Sequence, residues 1–185
     1  MRYGDQCSTG AAPGPTAAVA SLPVMRGAPS APAVGRNFSQ FRIGDHFGST
    51  VTITEAHLDH GADLIGDFNP LHVDAAFARA SRFGGRILHG VLTSALMSAP
   101  FGNLVSGTAL GYLEHNARFL GPVRPGDTLV IEWTVTDLID KPRHGGGIIV
   151  ADCVAHNQTG ALVATAHGKM LVAGGTAASG NAAPG

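Results

Sequence analysis

Two cysteines, no apolar run long enough to cross a bilayer and no cluster of like charge are what this 185-residue chain has least of, and each shortage excludes something. Cys7 and Cys153 lie far apart, one in a small-residue tail and one in a probable strand, so they make a poor disulfide pair and lack metal-ligand spacing. A membrane helix needs about 20 consecutive apolar residues, and none are present. A secretory leader needs an unbroken apolar stretch of roughly 7–15 residues, whereas Pro13, Pro15, Pro23 and Gly27 interrupt the N-terminal region. Charged residues make up 14% at a formal net charge of −1, without the clustered Lys/Arg that nucleic acid binding requires. The expected location is the cytoplasm. Two alternatives stay open for the N-terminal region: an organellar transit peptide, since Asp5 is its single acid, or a true start at Met25.

Residues 1–36 and 173–185 are almost wholly Ala, Gly, Pro, Ser and small polar residues. Without bulky apolar side chains they cannot offset the entropy of ordering, so both read as flexible tails around one domain at 37–172. Within it, Thr54 is a good N-cap, and Leu58, Ala62 and Ile65 recur at helical spacing up to Gly66. A shorter helix is expected at 74–81 with Asp74 as its cap. A second long helix is expected at 89–99, with Leu88, Val91, Leu92, Ala95, Leu96 and Ala99 as its buried stripe and Pro100 as its stop or kink.

After residue 108 the apolar period changes from 3.6 to 2. Leu113, His115, Ala117 and Phe119 alternate with Tyr112, Glu114, Asn116 and Arg118, and Leu129, Ile131, Trp133 and Val135 form a second such set. Two further β-rich runs cover 147–156 and 161–172. Short connections between long strands imply antiparallel pairing. One strand, helices, then four antiparallel strands predict an α+β chain whose curved sheet wraps the helix at 89–99, the hot-dog arrangement.

Asp67 and His72 flank a tight turn across Pro70 and can aim at one space. A carboxylate and an imidazole together can hold a water and exchange its proton near neutrality. Locally, the plainer readings stand ahead: an Asp after a helix-ending Gly more often serves as a turn or cap residue, and a loop His is usually solvated or packed. His89-Gly90 opens a helix, where free N–H groups and the helix dipole favour negative charge. Gly90 could therefore receive a carbonyl oxygen, or could simply permit tight packing.

Gly66-Asp67-Phe68-Asn69-Pro70-Leu71-His72, with Ala78 six positions on, resembles the signature of the MaoC-like, or type 2, enoyl-CoA hydratases. Ile87-Leu88-His89-Gly90-Val91-Leu92 and Pro122-Val123-Arg124-Pro125-Gly126-Asp127-Thr128 match weaker motifs shared with related hot-dog proteins, so the likeness spans about residues 40–172. The resemblance implies (R)-specific hydration of trans-2-enoyl thioesters, or the reverse dehydration, by a hydro-lyase that uses no cofactor and no metal. It makes Asp67 and His72 catalytic, Gly90 the oxyanion donor, and Asn69 and Ser98 substrate-binding. The substrate carrier would be coenzyme A or acyl-carrier protein, and the assembly a homodimer or dimer of dimers with neither nucleic acid nor membrane as partner. Arg79, Arg82, Arg86 and Arg124 could meet coenzyme A phosphates. Two departures touch the pocket and not the pair: Ile65 replaces the usual small residue before Gly-Asp, and an aromatic expected slightly upstream is missing. The alternatives are a hot-dog thioesterase and a non-catalytic acyl-binding protein of the same fold.

Overall fold

The computed structural model describes residues 34–175; most of both expected tails, Met25 and Cys7 lie outside them. Five strands form one antiparallel sheet: β1 (His46–Thr52), β2 (Ala109–Phe119), β3 (Thr128–Lys141), β4 (Gly146–His156) and β5 (Leu162–Ala173), in the order β1-β3-β4-β5-β2. Among the described residues four α-helices precede β2: α1 (Glu55–Ile65), α2 (Pro70–Val73), α3 (Ala75–Ala80) and α4 (Gly90–Leu104). This is the α+β, hot-dog plan that the change of period implies. Among the described residues no helix is long and apolar enough to cross a membrane.

Register aligns the core. Phe47 sits opposite Trp133, Trp133 opposite Cys153, and Ile131 and Val135 opposite Ala155 and Ala151, so large side chains of β3 face small ones of β4. Trp133 and Phe101 are fully buried, their rings 5.2 Å apart. The Trp133 indole N–H donates to the Met97 carbonyl at 2.7 Å, fastening the central strand to α4.

Three expectations are corrected here. First, α4 runs through Pro100 to Leu104. Proline removes one N–H and crowds the preceding turn, yet the Ser98 hydroxyl donates back to the Ala95 carbonyl at 2.8 Å and Trp133 anchors Met97. With Pro100 and Phe101 buried against the sheet, continuing costs less than exposing them. Second, the buried face of α4 is Thr93, Met97, Pro100 and Phe101, whereas Val91, Ala95 and Ala99 of the expected stripe are exposed. The helix is apolar all round, so periodicity could not choose its inner side. Third, a register shift between Tyr112 and Glu114 breaks the alternation along β2. Tyr112 and His115 consequently meet, oxygen to Nδ1 at 2.7 Å, although alternation puts them on opposite faces.

Candidate active site

The chain reaches the site through caps. Thr54, in extended conformation, starts α1, and its backbone N–H donates to His57 Nδ1 at 3.0 Å. Gly66 ends α1 at φ +72°, a left-handed position that glycine fills without penalty. Asn69 then caps α2, its Oδ1 accepting from Leu71 N–H at 3.0 Å, and Pro70 takes the first helical position, where no N–H is needed. Asp74 caps α3 by accepting from Ala76 and Phe77 N–H. Asp67 thus lies in the turn before α2 and His72 on α2 itself.

Asp67 Oδ2 and His72 Nε2 are 4.0 Å apart, with side chains 50% and 13% exposed. That is too long for a direct hydrogen bond and suits a water bonded to both. Asp67 Oδ1 accepts from Asn69 N–H at 3.1 Å, which leaves Oδ2 for that water. His72 Nδ1 lies 2.8 Å from the Ile87 carbonyl. A carbonyl only accepts, so Nδ1 carries the proton and the lone pair of Nε2 faces Asp67.

Gly90 and Val91 begin α4, and their N–H groups have no acceptor inside the helix. Gly90 shares a cleft of about 320 Å³ with His72, Arg82, Phe83, Leu88 and Phe119. A methyl group on Gly90 would stand 3.0–3.3 Å from the Phe119 ring, so glycine here keeps the cleft open.

Of the expected site residues, Asp67, Asn69 and His72 come together, and Gly90 faces the same cleft as His72. Asn69 spends its Oδ1 on the cap. Ser98 lies two turns along α4, outside that cleft, with its hydroxyl turned to Ala95. The arginines divide. Arg86 ion-pairs with Asp59 at 2.7 Å, and also with Glu55, which raises its pKa above the ordinary guanidinium value. Its charge is thus already matched by two carboxylates. Arg124 donates to the Phe83 carbonyl at 2.9 Å, and Arg82 lies over the Phe83 ring.

His89 marks a helix start in the sequence, where the expected role falls to Gly90 and none to the His89 side chain. It is 1% exposed, its ring stacks on His72 at 3.8 Å, and its Nε2 lies 2.9 Å from the Asp67 carbonyl. The available signal was a histidine in the N-cap position, where Ser, Thr, Asp or Asn would be expected. Asp67, His72 and His89 offer ligand atoms within 4.8 Å of one another. However, stacked rings only 30° apart in plane do not direct two lone pairs to one point at metal-bonding distance. The set suits a water better than a metal ion.

Residues 39–150 match the family model described as MaoC like domain. The chain is 33% identical over 106 residues to an (R)-specific enoyl-CoA hydratase of Rhodospirillum rubrum, covering 57% of this chain and 74% of that protein. It is 38% identical over 82 residues to a 3-hydroxybutyryl-CoA dehydratase of Methylorubrum extorquens, covering 44% of this chain and 52% of that protein. Among solved structures, the (R)-hydratase of Aeromonas caviae involved in PHA biosynthesis is similar with TM-score 0.65 and 32% identity, over 72% of this chain and 98% of that one.

Proposed function

Since the chain belongs to the MaoC-like domain family, we propose that it adds water across the double bond of a trans-2-enoyl thioester, or removes it from the 3-hydroxyacyl product. The observation that carries this reading is the Nε2 lone pair of His72 facing Asp67 Oδ2 across 4.0 Å, with His72 itself lining the cleft that Gly90 also lines.

The thioester carbonyl accepts from the Gly90 N–H, which draws electrons from the double bond. A water held by the Asp67 carboxylate gives one proton to His72 Nε2, and its oxygen bonds to the β-carbon. The electron pair moves to the thioester oxygen as an enolate, stabilised by the same N–H and the α4 dipole. The proton then returns from the Asp67–His72 side to the α-carbon. Water's two parts therefore add to one face, and nothing is oxidised or reduced. Acid–base catalysis of this kind is worth about 10²–10⁴-fold and an oxyanion donor about 10²–10³-fold.

Coenzyme A as carrier and the (R) product are supported by the names of the two curated relatives taken together. The active unit in this reading is a homodimer. The outer edge of β2 has no strand partner among the described residues, and Leu110, Leu113, Phe119 and Leu120 are exposed on or beside it. Open edges of this kind invite pairing with a second copy. The test is crotonyl-CoA with purified chain. Loss of enoyl absorbance with a chiral (R)-3-hydroxy product supports the reading. Thiol release would indicate a thioesterase instead, and neither signal, or the (S) product, would overturn it.

A further inference from the structure

His89 touches every part of the proposed machinery without reaching the cleft itself. Its carbonyl accepts the Leu92 and Thr93 N–H groups at 3.1 Å and so starts α4, fixing the adjacent Gly90. Its Nε2 is 2.9 Å from the Asp67 carbonyl, which can only accept, so Nε2 carries the proton. Its Nδ1 is buried and has no partner, facing the Gly61 side of α1. A second proton, on Nδ1, would be buried without an acceptor. The face of this ring lies 3.8 Å from the His72 ring.

We propose that His89 is a positioning residue that fastens Asp67 through its backbone, backs the His72 ring, and ties both to the Gly90 N–H. This rests on the hydratase reading above. During turnover His72 becomes cationic, and an uncharged aromatic face at stacking distance favours that form, as rings favour cations in general. A charged His89 would oppose it. The other groups facing His72 are Asp67 at 4.0 Å and the Arg86 guanidinium, 3.4 Å from the His72 carbonyl and paired in turn with Glu55 and Asp59.

Two substitutions separate the roles. His89→Gln keeps an N–H for the Asp67 carbonyl and loses the ring; His89→Phe keeps the ring and loses the donor. Each is expected to lower kcat on crotonyl-CoA by up to about 10²-fold, the effect of a catalytic group displaced by 1 Å, with KM little changed. In His89→Gln the acid limb of the kcat/KM profile moves to lower pH, because cationic His72 has lost its backing. In His89→Phe that limb stays in place while the rate falls. Wild-type kcat in both variants, or an unmoved acid limb in folded His89→Gln, overturns the proposal. Should either variant fold poorly, ¹⁵N NMR of the wild-type chain decides: His89 protonated on Nε2 alone is expected, and a proton on Nδ1 overturns it. A wild-type chain that leaves crotonyl-CoA unchanged counts against the hydratase reading, while the NMR result still judges the His89 bond.

Discussion

Where α4 meets the sheet, the large apolar side chains Trp133, Phe101, Met97, Leu129 and Ile149 are all fully buried. Between residues 54 and 89 the pattern differs. Leu64, Phe68 and Phe77 are more than half exposed, and order comes from caps at Thr54, Asn69 and Asp74, the αL turn at Gly66 and the Arg86 ion pairs. One region is held by burial, which is non-directional and large. The other is held by directional contacts, each small, which fix angles better than they add stability. The proposed chemistry falls in the second region, where Asp67 is half exposed and open to water. The first region supplies the rigid helix end that the second leans on.

If that division is right, stability and activity respond to different substitutions. The largest effect is expected at the proposed pair: His72→Gln or Asp67→Asn lowers crotonyl-CoA hydration by about 10²–10⁴-fold, with the thermal midpoint shifted by less than about 2 °C. Near-normal rates in either folded variant would remove the pair from catalysis.

Trp133→Ala should do the reverse, costing about 3–5 kcal/mol of stability and leaving the Met97 carbonyl without its indole donor. Denaturant titration measures it, and a loss under about 1 kcal/mol would contradict the assignment of stability to this region. Gly90→Ala lies on the boundary. Its methyl group would press on the Phe119 ring, and a shift of a few tenths of an ångström in the N–H should cost about tenfold in kcat. Combining it with Phe119→Leu should restore much of the rate; no recovery would place the damage elsewhere.

The smallest effect concerns Cys153, whose thiol burial pushes up to about 12. The folded thiol keeps its proton where an unfolded one loses it. The resulting contribution to stability is therefore complete below the ordinary thiol range and is lost as pH rises toward the folded value. In a Cys7→Ser background, iodoacetamide at pH 8.5 should label Cys153 only after denaturation. Rapid labelling of the native chain would show that this part of the core opens.

Much of the fold was legible because local rules and tertiary demands agreed. Thr54, Gly66 and Asp74 act within one or two turns of themselves, and the alternation at 129–135 states which side of β3 faces inward, whatever covers it. The Gly66–His72 run was readable for the same reason, since its geometry is set by a turn, a cap and a proline. Legibility failed where several elements compete for one. The helix α4 offers apolar side chains on every side, so only the sheet, taking Met97 and Phe101, and α1, lying against Leu92 and Leu96, decided which residues were left exposed.

By itself, then, the sequence determined most of the elements (though not the short helix α2), their order and the Asp67–His72 turn, because those depend on neighbours along the chain. Tertiary structure alone decided how far α4 runs past Pro100, where Tyr112 meets His115, that Arg86 is consumed by Glu55 and Asp59, and that His89 lies beneath His72. Each of these joins residues distant in the chain through burial or a hydrogen bond, and such contacts have no energy until the chain has folded.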